Sequence, residues 1–366
     1  MRGAAGSLDG VLREVAGRHV ATIPELGVAV VALPAGADAA AAVAAARAVP
    51  GIALAERDAV AYAVATPVDP GWSNQWGLRA VSAEQAWDLA KGAGTRVAVL
   101  DTGIDQNHAD LAAKLCQTCG EADQKDFTAS RTGVDDHYGH GTHVAGIAAA
   151  ITDNGVGVAG AGWSADLLNG KVLNDSGWGY YSWIAAGIVW AADRGAHVIS
   201  MSLGGYSGSA VLGDAVDYAW GKGSVLVAAA GNDNTASQLY PAAYGNCVAV
   251  SAIDQAGNRA SFSNYGSWVD VAAPGVSIYS TLPNHKHRLR TRNYGYLSGT
   301  SMATPFVAGE AALVWQRLGL AVASPNNSAV RSRLERSAVA GNTGSRCGRI
   351  DLYNAVSGDT SETSCP

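Results

Sequence analysis

The sequence contains no apolar run that approaches the ~20 residues needed to cross a bilayer, so we expect no membrane span,. Its first residues also lack the apolar core of a signal peptide,. Basic residues are in the minority, since 25 Lys and Arg against 31 Asp and Glu leave a net charge of −6. This balance gives no cationic footprint for nucleic acid. With 48% apolar and 15% charged residues, the 366-residue chain suits one large domain with an ample core and a second, small one,.

Cysteine is also scarce, with five in the chain. Cys116 and Cys119 could be half of a zinc site, but no second Cys or His pair stands at a suitable spacing, which favours a small surface disulfide,. Cys347 and Cys365 could join and hold the polar tail to the domain. Cys247 precedes an apolar strand and is expected to be a free core thiol. Two disulfides would suit an oxidising compartment.

The stretch that carries most chemical information is SGTSMATPFVAG, residues 298–309. It predicts a loop that turns into a helix, because Gly299 permits a tight turn and Thr300 or Ser301 can cap the first helical turn. Pro305 is expected within that turn, where its missing N–H costs little. The apolar residues that follow predict a buried helix. Ser301 would then lie where the helix dipole stabilises developing negative charge, although a serine there is most simply a helix cap.

Two other stretches change that interpretation. VAVLDTGID, residues 97–105, is an apolar strand that ends in Asp101, where open parallel sheets place ligand-binding groups,. HGTHVAG, residues 140–146, enters a helix of small residues with His140 at its start. We therefore expect a triad in which His140 accepts the proton of Ser301. Asp101 would hold the imidazole tautomer and offset its charge.

The three motifs, in the order Asp, His, Ser, resemble those of the subtilisin-like serine proteases (subtilases), most of all the thermitase branch. The resemblance spans residues 69–356 and implies an α/β fold with a doubly wound, mostly parallel sheet. It implies a secreted, monomeric serine endopeptidase that acts on proteins or peptides. It also implies that the Asn232 amide and the Ser301 N–H are the oxyanion donors, which stabilise the tetrahedral intermediate without reorganising. Phe306 stands where the family usually carries histidine, which affects local packing and not the triad.

The domain organisation follows from the same patterns. Residues 66–356 alternate strands and helices as a doubly wound sheet does, and residues 357–366 are a polar C-terminal tail,. The clear strands are expected at 96–100, 167–173, 197–203, 225–230 and 248–252, with helices at 181–194 and 211–222.

Residues 1–65 are expected to be a separate small α+β domain. The predicted order is helix 7–17, strand 19–23, strand 27–34, alanine-rich helix 37–49 and strand 52–56,. This order is a ferredoxin-like unit that lacks its first strand. By the family resemblance it is an inhibitory prodomain truncated at its N-terminus, and self-cleavage would fall close to Val64–Thr66. An unrelated small domain is the alternative.

The resemblance also assigns a groove for an extended substrate, which pairs with two glycine-rich segments as added strands. Tyr181, Ile184 and Leu203 match the family's pocket for the fourth residue before the cut, and ordinary helix-to-sheet packing is the alternative. The full set of implied substrate-binding residues is Gly177, Gly179, Tyr181, Ile184, Ser202, Leu203, Gly204, Ala229, Gly231 and Leu239. Leu239 would close the pocket for the residue before the cut. An apolar, shallow pocket predicts cleavage after small or medium apolar residues.

One tight calcium site is implied by the same resemblance. Its six oxygen ligands, a set that suits Ca²⁺, would be the side chains of Asp69, Asp110 and Asn154 and the carbonyls of Ile151, Val156 and Val158,. Asp110 could instead be a helix cap. A second, thermitase-like calcium site would fall within residues 126–135. It is expected to be lost, because Ala129, Arg131 and Gly133 replace oxygen-bearing residues there.

Two further motifs are weaker. GVGVAG, residues 155–160, fits the dinucleotide fingerprint, but it follows the His143 helix instead of a strand, so the required context fails,. HKHRLRTR, residues 285–292, is a basic insertion relative to thermitase; we interpret it as a solvated loop, with contact on the leaving-group side of the substrate as the alternative,.

A noncatalytic binding protein on the same fold is the competing hypothesis for the whole chain. The set Asp101, His140, Asn232 and Ser301 is intact, which favours the enzyme. An α/β-hydrolase is disfavoured, because its nucleophile motif needs glycine where Ala303 stands,.

Overall fold

The structure is a computed structural model that describes residues 2–3, 6–58, 66–115, 123–320, 326–363 and 365. The chain forms two compact units, Met1–Ala63 and Val64–Pro366. Cys116 and Cys119 lie outside the described residues, as do the first two residues of the expected cleavage stretch Val64–Thr66. Within the described ranges, no helix combines the length and the apolar character that a membrane span requires.

The first unit is a four-stranded antiparallel sheet with two α-helices, in the strand order β2-β3-β1-β4. Its small core contains Val11, Ala46 and Ala55. Asp38 caps the alanine-rich helix by accepting the N–H groups of Ala40 and Ala41, which fixes where that helix begins,. The elements are β1 (Arg2–Gly3), α1 (Ser7–Glu14), β2 (Arg18–Ile23), β3 (Val28–Ala32), α2 (Ala39–Ala48) and β4 (Ile52–Leu54).

The expected absence of a first strand in this unit is corrected by β1. Arg2 pairs with Val28 of β3 and with Leu54 of β4, so β1 lies between those two strands. The order of elements is therefore the complete βαββαβ of a ferredoxin-like unit,. A strand of two residues is too short to show the alternation by which strands are recognised in a sequence.

The second unit is built on seven parallel strands in the order β11-β10-β9-β8-β5-β7-β6, with β12 and β13 as a separate antiparallel pair. Its strands are β5 (Arg96–Asp101), β6 (Gln124–Asp126), β7 (Asp166–Lys171), β8 (Val198–Met201), β9 (Val225–Ala229), β10 (Cys247–Ile253), β11 (Val271–Pro274), β12 (Ile278–Leu282) and β13 (Asn293–Leu297). Its α-helices are α3 (Trp76–Ala80), α4 (Ala83–Trp87), α5 (His140–Ala149), α6 (Tyr181–Asp193), α7 (Ala210–Gly221), α8 (Thr300–Arg317), α9 (Asn327–Arg336) and α10 (Leu352–Ser357).

Helices cover both faces of the sheet, and the central strand β5 shows how. Val97 and Val99 belong to the core that contains α5 and α8, whereas Ala98 and Leu100 belong to the core that contains α6 and α7. Successive side chains of a strand point to opposite faces, so a strand buried on both sides is apolar throughout. This explains the uninterrupted apolar run before Asp101 and confirms the doubly wound α/β fold.

Two expectations for the start of α8 are corrected. The N-cap residue is Gly299 and no side chain caps the helix, so neither Thr300 nor Ser301 does so. Pro305 is the sixth residue of α8, beyond the first turn. Its missing N–H leaves the Ser301 carbonyl without its helical donor, and the Ser202 hydroxyl donates to that carbonyl at 2.8 Å instead,. The proline thus leaves a carbonyl of α8 free to accept a hydrogen bond from Ser202, which directly follows β8.

Cysteine pairing agrees with the expectation where the structure describes it. Cys347 and Cys365 form a disulfide, and the Ala340 N–H donates to the Glu362 carbonyl, so the tail is held to the domain. Cys247 is a free, buried thiol at the start of β10, and burial raises its pKa above the ordinary value.

Candidate active site

Asp101 is the last residue of β5, and its side chain is fully buried. Its Oδ1 accepts the N–H of Thr102 at 2.7 Å. The chain just after Asp101 and the start of α5 approach closely, because a Cβ on Gly141 would lie 2.1 Å from the Gly103 carbonyl oxygen and 3.1 Å from the Asp101 Cβ. Glycine at position 141 is therefore what lets the two backbones meet.

His140 begins α5, and its Nδ1 lies 2.7 Å from the same Oδ1 of Asp101. Gly139, the residue before the helix, has a φ of 107°, a left-handed conformation that glycine adopts without strain,. Burial lowers the pKa of His140, but the charge and hydrogen bond of Asp101, with a smaller contribution from Asp136, outweigh it and leave the pKa raised. The pair therefore stabilises an imidazolium, as a general base requires once it has taken a proton.

Asp136 positions the turn before His140, a role that sequence reasoning missed. Its buried carboxylate accepts from the Thr102 hydroxyl, from the backbone N–H of Tyr138 and Gly139, and from both the N–H and hydroxyl of Thr142, at 2.7–3.0 Å. The pKa of Asp136 is raised, because the effect of burial outweighs the opposing effect of the hydrogen bonds from Gly139, Thr142 and Thr102. Asp136 thus joins the strand that carries Asp101 to the helix that carries His140.

Ser301 is the second residue of α8, and its hydroxyl donates to the Ser202 carbonyl at 3.2 Å. Ser202 also lines a cleft together with His140, so one residue both contacts Ser301 and borders the cleft beside His140. Within the described residues, no hydrogen bond joins the Ser301 hydroxyl to His140. Catalytic hydrogen bonds in substrate-free enzymes are often long or misaligned and form only when substrate binds.

Asn232 is exposed, and hydrogen bonds to its side-chain oxygen define the orientation of the amide. Its Oδ1 accepts the Thr300 N–H at 2.8 Å and the Thr300 hydroxyl at 3.0 Å. Because the oxygen is occupied in this way, the NH₂ group is free to donate toward a ligand beside Ser301. Sequence reasoning treated Thr300 as a possible helix cap and missed this contact.

A cleft of about 340 Å³ brings together most of the expected substrate-binding residues. Gly177, Gly179, Tyr181, Ile184, Ser202, Leu203 and Gly204 line it beside His140. Thr102, Tyr138, Leu173 and Trp178 also line it, and the sequence reasoning did not select them. Tyr138 packs directly on Gly177, where a Cβ would lie 2.6 Å from its ring.

The other three expected residues, Ala229, Gly231 and Leu239, are not among the residues that line this cleft. Ala229 ends β9 and is buried, and Gly231 follows it. Leu239 packs between two glycines: a Cβ on Gly204 would lie 2.6 Å from its side chain, and one on Gly231 would lie 3.2 Å from it. Leu239 therefore fills the space between Gly204, which follows β8, and Gly231, which follows β9.

The candidate calcium residues also come together. Asp69 accepts the N–H of Asp153 and of Asn154, and Asp110 accepts the side-chain amide of Asn154 and the N–H of Val158, at 2.7–3.0 Å. Ile151 donates its N–H to the Asp110 carbonyl, and Val156 donates to the Asn154 side chain. The expected ligand residues are Asp69, Asp110, Ile151, Asn154, Val156 and Val158, and all belong to this one network.

The chemistry of this network fits a hard cation. Asp69 and Asp110 are buried carboxylates, and neither forms an ion pair with Lys or Arg in the part of the chain that the structure describes. Burial raises the pKa of Asp110 more than its hydrogen bonds from Asn154 and Val158 lower it. Gly157, from the apparent dinucleotide motif, closes the loop on this carboxylate, since a Cβ there would lie 2.1 Å from Asp110 Oδ2.

The region of the second, thermitase-like calcium site has a different arrangement. Asp126 accepts the N–H of Thr128 and Ser130. The fully buried side chain of Lys171 donates to the Asp135 carbonyl at 2.7 Å and to the Asp175 carboxylate at 2.6 Å. A fixed ammonium group thus lies beside the oxygens of this segment.

Comparison with known proteins finds proteases by family model, by sequence and by structure. The subtilase family model matches residues 92–354, and the fervidolysin N-terminal prodomain model matches residues 3–58. Thermitase from Thermoactinomyces vulgaris is 47% identical over 296 residues, 80% of this chain and 99% of thermitase. A thermophilic serine proteinase from Bacillus sp. strain AK1 is 44% identical over 313 residues, 84% of this chain and 73% of that protein. Among solved structures, a protease from Pseudoalteromonas arctica PAMC 21717 is similar, with a TM-score of 0.72 and 34% identity over 80% of this chain and 99% of its own.

Proposed function

The chain belongs to the subtilase family and is a subtilisin-like serine peptidase, and from that premise we propose that Asp101, His140 and Ser301 form its catalytic triad. Asn232 and the Ser301 N–H are the proposed oxyanion donors. The observation that carries the proposal is the 2.7 Å contact between Asp101 and His140, beside a cleft whose lining residue Ser202 accepts a hydrogen bond from the Ser301 hydroxyl. A carboxylate that raises the pKa of an imidazole beside a cleft is typical of a catalytic base, which favours the enzyme over a noncatalytic binding protein,.

The proposed reaction is acyl transfer to serine followed by hydrolysis. The Ser301 Oγ attacks the peptide carbonyl while His140 Nε2 takes the hydroxyl proton, and Asp101 stabilises the imidazolium. The oxyanion accepts from the Asn232 amide and the Ser301 N–H. His140 then gives the proton to the leaving amine, and the same steps with water release the acid and restore Ser301.

Substrate binding would also free the nucleophile. The Ser301 hydroxyl donates to the Ser202 carbonyl in the structure. An extended peptide that pairs with the 202–205 segment brings backbone N–H groups that compete for this carbonyl. The displaced hydroxyl can then turn toward His140, so the nucleophile becomes activated where substrate is present.

We propose that residues 1–65 are an inhibitory prodomain, residues 66–356 the catalytic domain and residues 357–366 its polar tail. The match of residues 3–58 to the fervidolysin N-terminal prodomain model and the division into two compact units support these assignments. Self-cleavage near Val64–Thr66 would release the prodomain. The Cys347–Cys365 disulfide supports secretion, because such bonds persist in oxidising compartments,. A monomer is the proposed state.

One calcium ion is proposed at the network of Asp69 and Asp110, where it would neutralise two buried carboxylates and hold distant parts of the chain together. The ion is structural and takes no part in the chemistry. We propose that the second, thermitase-like site is lost. The missing oxygen-bearing side chains support this, and the Asp135 backbone carbonyl is already occupied by a hydrogen bond from Lys171.

Removal of calcium should destabilise the catalytic domain. Because the ion binds only the folded arrangement, a free concentration of ~100 times Kd should add about 2.7 kcal/mol to the free energy of unfolding. We expect EDTA to lower the melting temperature, and Asp110→Ala to abolish the response to calcium. Differential scanning calorimetry of the inhibited enzyme is the measurement, with Asp214→Ala, an exposed acid on α7, as the matched control. A melting curve that EDTA leaves unchanged after exhaustive dialysis contradicts the site.

A peptide series and a substitution at Leu239 together test the activity and its specificity. The parent enzyme should cut interior bonds of end-blocked peptides after small or medium apolar residues, whereas a binding protein would cut none. Leu239→Gly should shift the preference toward Phe and Tyr. The change should be graded, because one methylene of misfit is worth ~1–3 kcal/mol. The measurement is kcat/KM across peptides that differ only in the residue before the cut. A parent enzyme that already prefers Phe or Lys there shows the pocket assignment to be wrong.

A further inference from the structure

Three side chains outside the triad and outside the calcium network converge beside the turn that precedes His140. They are Asp135, His137 and His285, and one ligand atom from each lies within 4.8 Å of the others. Asp135 and His137 belong to that turn, whereas His285 opens the inserted basic loop. We propose that these three residues bind a zinc-type divalent cation that fastens the inserted loop to this turn.

The distances are those of a metal-ligand set. Asp135 Oδ2 lies 3.2 Å from His137 Nε2 and 3.6 Å from His285 Nε2. Ligands held tetrahedrally at zinc's usual bond lengths of 2.0–2.2 Å are separated by about 3.3 Å. Both imidazoles therefore present a nitrogen to one carboxylate oxygen at nearly the spacing that a shared ion requires.

The groups behind these ligands support the same conclusion. The other oxygen of Asp135 accepts the Asp136 N–H at 3.0 Å, so Oδ2 is the one that faces the histidines. On the far side of the His285 ring, Nδ1 lies 3.8 Å from Oδ2 of the buried Asp105, which also accepts the Asn284 N–H. At 3.8 Å this is a charge contact and not a hydrogen bond; the carboxylate favours a proton on Nδ1, which leaves Nε2 for a metal,.

The site is open to an ion from solvent. The side chains of Asp135, His137 and His285 are 29%, 39% and 28% exposed, so water can complete the coordination,. His285 Nε2 lies 3.1 Å from the Asp136 carbonyl. Binding would replace that contact and place the ring proton on Nδ1, toward Asp105. Two imidazoles and one carboxylate suit zinc and neighbouring transition metals, not calcium, which takes oxygen ligands.

The ion would join two segments that backbone hydrogen bonds already hold together: the inserted loop and the turn before His140. Arg288 and Leu289 of the inserted loop donate their N–H groups to the carbonyls of His137 and Tyr138, at 3.0 and 3.3 Å. The Lys171 ammonium holds the Asp135 carbonyl from the other side. Backbone hydrogen bonds thus fix the inserted loop against the turn, and the three proposed ligand side chains need little rearrangement to bind the ion.

Zinc binding to the full chain is the test. The Ser301→Ala chain avoids self-digestion, and saturating Ca²⁺ occupies any oxygen site. Isothermal titration at pH 7.5 should show one equivalent of Zn²⁺ bound. His137→Gln and His285→Gln should each weaken binding at least ~100-fold, beyond the ~10–100-fold typical of losing an outer partner. His19→Gln, an exposed histidine in the other unit, should leave it unchanged.

Cobalt provides an independent readout of the ligands. Co²⁺ at the site should give visible absorption bands, and His137→Cys should add a thiolate-to-cobalt charge-transfer band that the parent lacks. This variant keeps three ligands, so it remains informative even if a glutamine variant disturbs the loop. Absence of stoichiometric Zn²⁺ binding overturns the proposal, and so does binding that neither histidine variant weakens. Displacement of the metal by excess Ca²⁺ overturns the assignment to zinc-type chemistry.

Discussion

Ser301→Ala should reduce kcat by about 10⁶-fold, the loss that removal of this serine causes in subtilisin. The hydroxyl is the atom that bonds to the substrate carbonyl, and no other group in the proposed mechanism can replace it. The same change should leave the chain uncut near Val64–Thr66, because one serine would perform both cleavages. Intact mass should show the full chain, and a serine-directed inhibitor should label the parent but not the variant.

The fold should be unaffected by this change, which makes the result interpretable. Among the described residues, the Ser301 side chain makes one hydrogen bond, to the Ser202 carbonyl. The hydrogen bond from the Ser202 hydroxyl to the Ser301 backbone carbonyl is retained in the alanine variant. Ser164→Ala, the same chemical change on the loop that leads into β7, is the matched control and should keep full activity. If the Ser301→Ala chain still matures in a protease-free preparation, the self-processing hypothesis is wrong.

Asn232→Ala should lower kcat by about 10²–10³-fold with little change in KM, again by comparison with subtilisin. The amide donates to charge that exists only in the transition state, so its loss corresponds to ~2.7–4 kcal/mol of transition-state stabilisation. The melting temperature of the variant should fall only modestly, because the change removes the acceptor of the Thr300 N–H and hydroxyl but leaves the core packing intact,. Steady-state kinetics on one good peptide substrate measure the effect.

Asn232→Asp separates the lost donor from lost packing. The carboxylate has the shape of the amide and can still accept from Thr300, but it offers no N–H and adds negative charge beside the oxyanion,. We expect it to be at least as impaired as the alanine variant. An aspartate variant with near-parental kcat contradicts the assignment of Asn232 as a donor.

The fold was largely predictable because its strands are buried on both faces. Such strands appear as apolar runs, and β5, β7, β8, β9 and β10 lie where the sequence placed them,. The two-residue β1 was not predictable, since it carries no pattern. The position of Pro305 was misjudged because the helix begins at Thr300 without a side-chain cap.

The candidate site was predictable to the extent that its residues stand in long motifs. Asp136, Thr300 and Ser202 act through contacts with residues far away in the chain: Asp136 with Thr102, Thr300 with Asn232, and Ser202 with Ser301. A short polar residue near a helix start looks the same in a sequence whether it caps the helix or orients a distant side chain. Only the fold distinguishes the two.

The contact between Gly141 and Gly103 has a consequence for directed evolution of this enzyme. A methyl group at position 141 meets backbone, not a movable side chain, so no neighbouring substitution can relieve it. Libraries that vary this helix start would consist mostly of inactive members. Diversity is better placed at Trp178, Tyr181 and Ile184, whose side chains line the cleft, and the backbone that sets the Asp101–His140 distance is then left intact.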